Sequence, residues 1–490
     1  MRFKVKDGIL QSSIEGERMN TKNYDQKQSL VFPPRIRRFL PDDHPAVIIN
    51  DIVDNMDLSI LFKKLSSEGN PSYHPAMMLK VLIYAYATGI FSSRKIQRAL
   101  QESVAFIYLA AWQKPDFRTI SDFRKNNLCE LKVIFSQVVD YCNRMQMISL
   151  GHIAIDGSKL RANAADRHTW TKKRIDHQIE RLLEKASRAD TAEDSVLGDD
   201  KSGSEVPEHI RKQRDRIQRL KQIRKQLDES EKSSLNETDP DAAFMKTSHG
   251  VRTSFNAQIA VDDQNQIIVA ADVISDPSDV EHLLPMVEQV EANIGKPEKL
   301  SADSGYCSGE NLRDINHKGI DAFIPDPEFQ GNQRRPSKEE FFHRSRFTRD
   351  EAQDCFICPA GQKLPFSHLQ KRKKKEPLRM YRCRDSAGCP LRDQCTRNRM
   401  GRTIALYPYF KELNAMREKL KTGLGKRTYR RRQVIVEPVF ATLKRAMGFT
   451  GFLLRGLQKV RGEFMLACIA HNVRKLANYL IKHRLSPQAA

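Results

Sequence analysis

Apolar residues recur with a helical period through residues 36–147. Ile52, Met56, Leu58, Leu61, Phe62 and Leu65 mark one helix over 51–65. His74-Pro75 opens a second, strongly apolar helix through Tyr86, stopped by Thr88-Gly89. Ser92-Ser93 caps RKIQRALQE, and Thr119 or Ser121 caps a helix running to about Met145. At Gly151 the period falls to two. HIAIDGSKL reads as a strand with Asp156 at its end. Strands resume at 254–262 and 266–274, with a hairpin turn at Asp263-Gln264-Asn265. Val280, Leu283, Leu284, Val287, Val290 and Ile294 then mark an amphipathic helix ending at Gly295. A short strand at 299–303 ends in Asp303, a helix spans 309–317, and a strand spans 321–325.

Two charged stretches interrupt this order. Residues 167–240 hold two helical segments, 171–187 and 207–229, whose apolar positions are sparse. A helical hairpin or a flexible arm is expected there. Residues 326–428 are basic and Cys-bearing. The stretch KRTYRRRQVIVEPVFATLKR (426–445) follows, with seven Lys/Arg and one acid, Glu437. Val436, Phe440, Leu443 and Met447 form its apolar stripe, which places Glu437 and Lys444 on one side of a helix. Pro438 puts Glu437 in or just before a first turn, or at a kink. A final helix is expected over 463–484. Residues 1–35 are polar and aperiodic, so a disordered segment is expected, with Met19 as a second plausible start.

The 490 residues imply more than one domain, and the net charge of +22 calls for a polyanionic partner, most simply nucleic acid. A membrane partner is disfavoured because the longest apolar run, 76–91, is short and contains Lys80. The first 17 residues lack an apolar signal region. A cytoplasmic protein with nine reduced or metal-bound Cys is therefore the expectation.

Three strands in a meander, then helix, strand, helix, strand, is the ribonuclease H-like order. The expected fold class is an α/β catalytic domain of that fold, a mixed five-stranded sheet flanked by helices. An all-α N-terminal domain (36–147) and two insertions complete it. The catalytic domain would be 148–166, 241–325 and 429–484. In such a sheet Asp156 and Asp303 meet across about one strand spacing, ~5 Å. A third carboxylate from a packed helix would complete an oxygen-rich site for two Mg²⁺ about 4 Å apart. Each acid has a plainer reading: Asp156-Gly157 and Asp303-Ser304-Gly305 also suit turns or helix caps, and Glu437 suits a solvated basic helix.

Several stretches are similar to DDE transposases of bacterial insertion sequences. They are IAIDGSKLRANA, TDPDAAFMK followed by FNAQIAVD, SADSGY, and YRRRQVIVEPVFATLKR. The chain resembles in particular the group with a Tyr-Arg-Glu-Lys signature around the last acid. HPAMMLKVLIYAYATGIFSSRKI and DFRTISDFRKNN resemble that family's N-terminal domain. The resemblance implies metal-dependent cleavage at the element's ends and strand transfer into target DNA. It implies Asp156, Asp303 and Glu437 as ligands of Mg²⁺ or Mn²⁺, and Tyr429, Arg432 and Lys444 as contacts to the DNA end. It further implies terminal inverted repeats and target DNA as partners, a homodimer or larger assembly on DNA, and a nucleoid-associated bacterial protein. The signature departs at one point: Gln433 occupies the expected Arg position, so Arg430 and Arg431 stand beside Arg432 as candidates. A ribonuclease H-like nuclease or resolvase that does not join ends is the alternative enzyme. An inactive DNA-binding relic of a transposon is the alternative without catalysis.

Cys355-x2-Cys358 precedes Cys383, Cys389 and Cys395. Four of these five suffice for a tetrahedral structural Zn²⁺, with Cys355, Cys358, Cys389 and Cys395 the expected ligands and free thiols the alternative. The KRKKK run at 371–375 is expected in an exposed loop. Cys129, Cys142, Cys307 and Cys468 are isolated and expected to be buried or inert. His249, His282 and His471 could support a site or bind phosphate, with satisfied packing the favoured reading. Trp112 reads as core, and Trp170 as either core or a base-stacking platform.

Overall fold

A computed structural model describes residues 35–64, 72–197, 208–230, 232–326, 342, 344–372, 375–406 and 409–483. The expected disordered segment and second start therefore lie outside the described residues, as do Leu65, Lys373 and Lys374.

The N-terminal region is helical. Helices α1 (Pro45–Asp54), α2 (Pro75–Ala87), α3 (Ser93–Glu102), α4 (Phe117–Asn126) and α5 (Leu128–Arg144) carry most of it. Pro begins α1 and α2, where its missing N–H costs nothing. Two boundaries differ from expectation. The first helix starts at Pro45 and ends at Asp54, and Ser59–Phe62 forms a separate short turn. The 119–145 segment is two helices meeting at Asn127, and its cap is Asp116, whose carboxylate accepts the Thr119 N–H at 2.7 Å. Helix α2 is buried nearly all round. Its one charge, Lys80, reaches out to Asn50 at 2.8 Å and Asp54 at 2.5 Å.

Strand β1 (His152–Arg161) centres a mixed sheet with β2 (Ala243–Thr247), β3 (Gly250–Asp262), β4 (Ile268–Ile274), β5 (Lys299–Ala302) and β6 (Asp321–Phe323). β1 pairs antiparallel with β3 and parallel with β5, and β5 pairs parallel with β6. The sheet has six strands rather than five. β3 is long enough that β2 pairs with its start and β4 with its later part, on the same edge. Helices α8 (Leu283–Ile294) and α9 (Gly309–His317) link β4, β5 and β6, and the 263–265 turn is capped by Asp262.

The 172–229 insertion is the helical hairpin α6 (Lys172–Leu197) and α7 (Glu208–Glu229). It has a small core of its own, including Trp170, Ile175, Leu220 and Leu227. Trp170 donates to Glu237 at 2.6 Å beneath Arg174 and Arg216, which closes it to a stacking base. Trp112 is the reverse case: it sits in a left-handed turn and is 63% exposed, so it is not core. The Cys-bearing insertion forms a separate sheet of β7 (Thr348–Asp350), β8 (Cys355–Ile357), β9 (Lys363–Arg372), β10 (Lys375–Arg382) and β11 (Thr403–Leu406). Phe347, Phe356, Leu364, Tyr381, Cys383 and Ile404 fill it.

Helices α10 (Phe410–Lys421), α11 (Gly423–Ala441) and α12 (Leu457–His483) close the chain. α12 begins six residues before its expected start and packs between α2, α5 and β4, so the N-terminal helices and the sheet share one core. Asn472 seals the free edge of β4: it accepts the Ile268 N–H at 2.9 Å and donates to the Ile268 carbonyl at 2.8 Å, fully buried. Asn472→Leu leaves both backbone groups buried and unpaired, and is expected to cost roughly 2–4 kcal/mol in denaturant unfolding.

Candidate active site

Asp156 lies where β1 runs out of full cover: His152 to Ile155 are buried and the next four residues are half-buried. In the parallel ladder Ile155 stands opposite Ala302, so Asp303 leaves the end of β5 beside Asp156, which does not end its strand as expected but lies mid-strand, because β1 runs on to Arg161 against β3. Asp303 also caps a short turn, accepting the Gly305 N–H at 2.7 Å. The turn reading and the site reading of this residue thus hold together. The Asp156 carboxylate accepts its own Gly157 N–H at 2.9 Å and Arg432 Nη1 at 2.9 Å. Burial pushes the Asp156 carboxyl up to about 6, with Arg432 opposing and the nearby Asp303 adding to the rise. Two carboxylates crowd a poorly solvated place, and one guanidinium offsets part of the charge.

Both acids are followed closely by glycine for a steric reason. A Cβ on Gly157 would lie 2.7 Å from Gln258 Nε2 and 3.1 Å from Asp279 Oδ1. One on Gly305 would lie 2.9 Å from Asp303 Oδ1 and 3.2 Å from Asp279 Oδ2. Asp279 therefore sits against the glycine that follows each acid. Its Oδ1 accepts from Asn256 at 2.5 Å, Gln258 at 2.7 Å and Lys159 at 3.2 Å, and Gln258 accepts the buried Tyr306 hydroxyl. Asn256, Gln258, Asp279 and Tyr306 escaped the reading of the sequence as site residues. The glycines beside each acid were the available signal.

Glu437 lies near the C-terminal end of α11, not in a first turn. Pro438 is tolerated there because the Val434 carbonyl it leaves free accepts Gln266 Nε2 at 3.0 Å. A π-turn, Thr442–Ala446, follows and breaks the expected spacing. Lys444 turns in to Ser158 on β1 at 2.5 Å, and burial lowers its pKa, while Glu437 is exposed. Among the described residues no hydrogen bond or ion pair joins Glu437 to Asp156 or Asp303. Nor does any group of three or more His, Cys, Asp or Glu stand in metal-holding geometry. Arg432 faces the acids beside the Tyr429 ring, Arg431 pairs with Asp263 at 2.8 Å, and Arg430 and Gln433 are exposed.

The remaining candidates fall outside this site. His471 is buried and 3.1 Å from the Gln266 carbonyl, and burial lowers its pKa to about 4. His249 is exposed in the turn between β2 and β3. His282 ends the short turn before α8. Cys142 and Cys468 are buried, Cys307 is half-buried, and Cys129 is exposed. No described helix is long and apolar enough to cross a membrane.

Residues 357–477 match a family model described as Transposase DDE domain, and residues 34–126 match one described as Transposase domain (DUF772). The first match contains Glu437 and Lys444; Asp156 and Asp303 lie outside both. No curated protein matches the chain. The two matches support a DDE-type transposase.

Proposed function

We propose, from a chain with transposase-domain matches at both ends of its fold, that the protein is a DNA transposase acting through Asp156, Asp303 and Glu437. It would cut phosphodiester bonds at an element's ends and join the 3′-hydroxyls to target DNA. The observation that carries this reading is the meeting of Asp156 and Asp303 where the parallel pairing of β1 and β5 stops, with Arg432 and Lys444 leaning on the same place. The strand order β4-β3-β1-β5-β6 supports a ribonuclease H-like sheet.

The acid pair fits Mg²⁺ or Mn²⁺ by its chemistry. The donors are hard oxygens, carried by two carboxylates that lie side by side at the sheet. Asp156 and Asp303 would hold the ion, with Glu437 as the third carboxylate of the proposal. Bound there, the ion would activate the attacking water or hydroxyl and stabilise the leaving oxygen. Arg432, now paired with Asp156, is the group to be released toward a phosphate, and Lys444 and Arg431 would hold neighbouring phosphates. Gln258 and Asp279 keep the floor of the site rigid. Assembly as a homodimer or larger complex on terminal repeats belongs to the same proposal.

The test is cleavage and strand transfer on DNA flanking the protein's own gene, with and without Mg²⁺ or Mn²⁺, beside Glu437→Gln. Metal-dependent cutting and joined product, both lost in the variant, support the transposase. Cutting without joining indicates a nuclease or resolvase, and tight binding without cutting indicates a DNA-binding relic. Lys444→Ala is expected to weaken end binding about threefold to tenfold and to reduce the salt slope by about one, read by titration at several salt concentrations.

A further inference from the structure

The Cys-bearing sheet gathers four thiols that the transposase reading does not use. Cys358, Cys383, Cys389 and Cys395 share the wall of one cavity of about 20 Å³. That is room for about one water-sized occupant. Cys355, the nearest cysteine in sequence to Cys358, is buried within β8 and is not in that wall. Cys383 takes its place, at the end of β10. Its thiol lies within electrostatic reach of Cys358, Cys389 and Cys395.

Local turns present these sulfurs. After β8 the chain folds back, with the Gly361 N–H on the Cys358 carbonyl at 2.9 Å. The Gln362 N–H then donates to Cys358 Sγ at 3.3 Å. The Asp385 N–H donates likewise to the Cys383 thiol. Backbone N–H groups aimed at sulfur suit a metal-bound sulfur, while burial, the larger effect, raises the Cys383 and Cys395 thiols above their ordinary pKa in the metal-free chain. Cys389 opens the turn into the short helix Arg392–Cys395, and Cys395 ends it. The chain also closes tightly over Cys383. A Cβ on Gly401 would lie 2.4 Å from the Cys383 carbonyl, at a backbone φ of +88° that favours glycine. Phe347 and Leu364 share the wall with Gln362, Ser386, Arg392, Thr396 and Arg402, so the thiols are flanked by apolar groups and by two guanidinium side chains.

We propose that Cys358, Cys383, Cys389 and Cys395 form a tetrahedral structural zinc site that holds the two ends of the insertion's sheet together. Loading forms four Zn–S bonds and releases the thiol protons to solvent. It draws the thiols inward from their present separation, since no described group is yet in metal-holding geometry. The few buried residues of this sheet leave its stability to be supplied in part by the metal. The site is independent of the catalytic proposal and stands or falls separately.

The experiment is elemental analysis of the purified full chain, with Co²⁺ exchange followed by absorption spectroscopy. About one zinc per chain and the absorption of tetrahedral Co²⁺-thiolate are expected. Cys383→Ser should lower zinc occupancy at least about tenfold, while Cys355→Ser leaves it unchanged. Protection of residues 342–406 from proteolysis should fall when zinc is stripped from the wild-type chain, a readout that needs no variant. Absence of zinc and of a Co²⁺-thiolate spectrum in the wild-type chain overturns the proposal. So does zinc that survives Cys383→Ser but is lost in Cys355→Ser.

Discussion

Asp156→Asn is expected to abolish DNA cleavage and joining while making the metal-free protein more stable. The catalytic loss should be at least about a thousandfold in a single-turnover cleavage assay, because one of two adjoining carboxylates is removed. The gain in stability follows from the cost of ionising this side chain where it lies. Its pKa rises from the ordinary 3.8 to about 6 in the folded chain, chiefly through burial. Between those two values the folded state binds more protons than the unfolded state, so stability falls as pH rises from about 4 to about 6 and is level above that. At pH 7 the ionised carboxylate therefore costs the fold roughly 1–3 kcal/mol, which the amide does not. The amide oxygen can still accept from Arg432. Chemical unfolding in EDTA at pH 7 and at pH 4 checks this: the gain over wild type should be present at pH 7 and nearly gone at pH 4. A variant that loses both activity and stability would show that Asp156 is a structural group.

Phe449→Ala should give the largest loss of stability, about 3–5 kcal/mol. The ring is 1% exposed, with its centre 5.3 Å from that of Phe91, 5.6 Å from Phe452 and 6.2 Å from Phe464. Those residues belong to the N-terminal helical region, the loop after the π-turn, and α12. Truncation opens a cavity where these parts join, and edge-to-face contacts are lost with it. Thermal unfolding should then show a marked drop in Tm, with near-wild-type DNA cleavage at low temperature. Loss of cleavage without loss of Tm would point instead to a direct role for the loop in the active site.

The local pattern of this chain was enough to place β1, the 263–265 turn, the helix over 309–317 and the opening of α2 at Pro75. It also set Asp303 at a strand end, because alternation and turn residues are properties of neighbours in the sequence, whereas Asp156 proved to lie mid-strand because pairing with β3 carries β1 on to Arg161. The charge on 426–445 was likewise plain, while the pattern leaves the insertion open between a helical hairpin and a flexible arm. What the pattern could not reach depended on partners far away in the chain. Pro438 reads locally as a helix start, and only Gln266, 172 residues earlier, makes it acceptable inside α11. A heptad spacing put Lys444 on the same side as Glu437, and the π-turn that contains Lys444 directs it to Ser158. The Asp279 network joins β1, β3 and two loops, so no single stretch displays it. Spacing paired Cys355 with Cys358, whereas the strand register buries Cys355 in β8 and brings Cys383 across from another strand end. Periodicity decided which residues face inward, and the closing of long loops between strands and helices decided which of them meet.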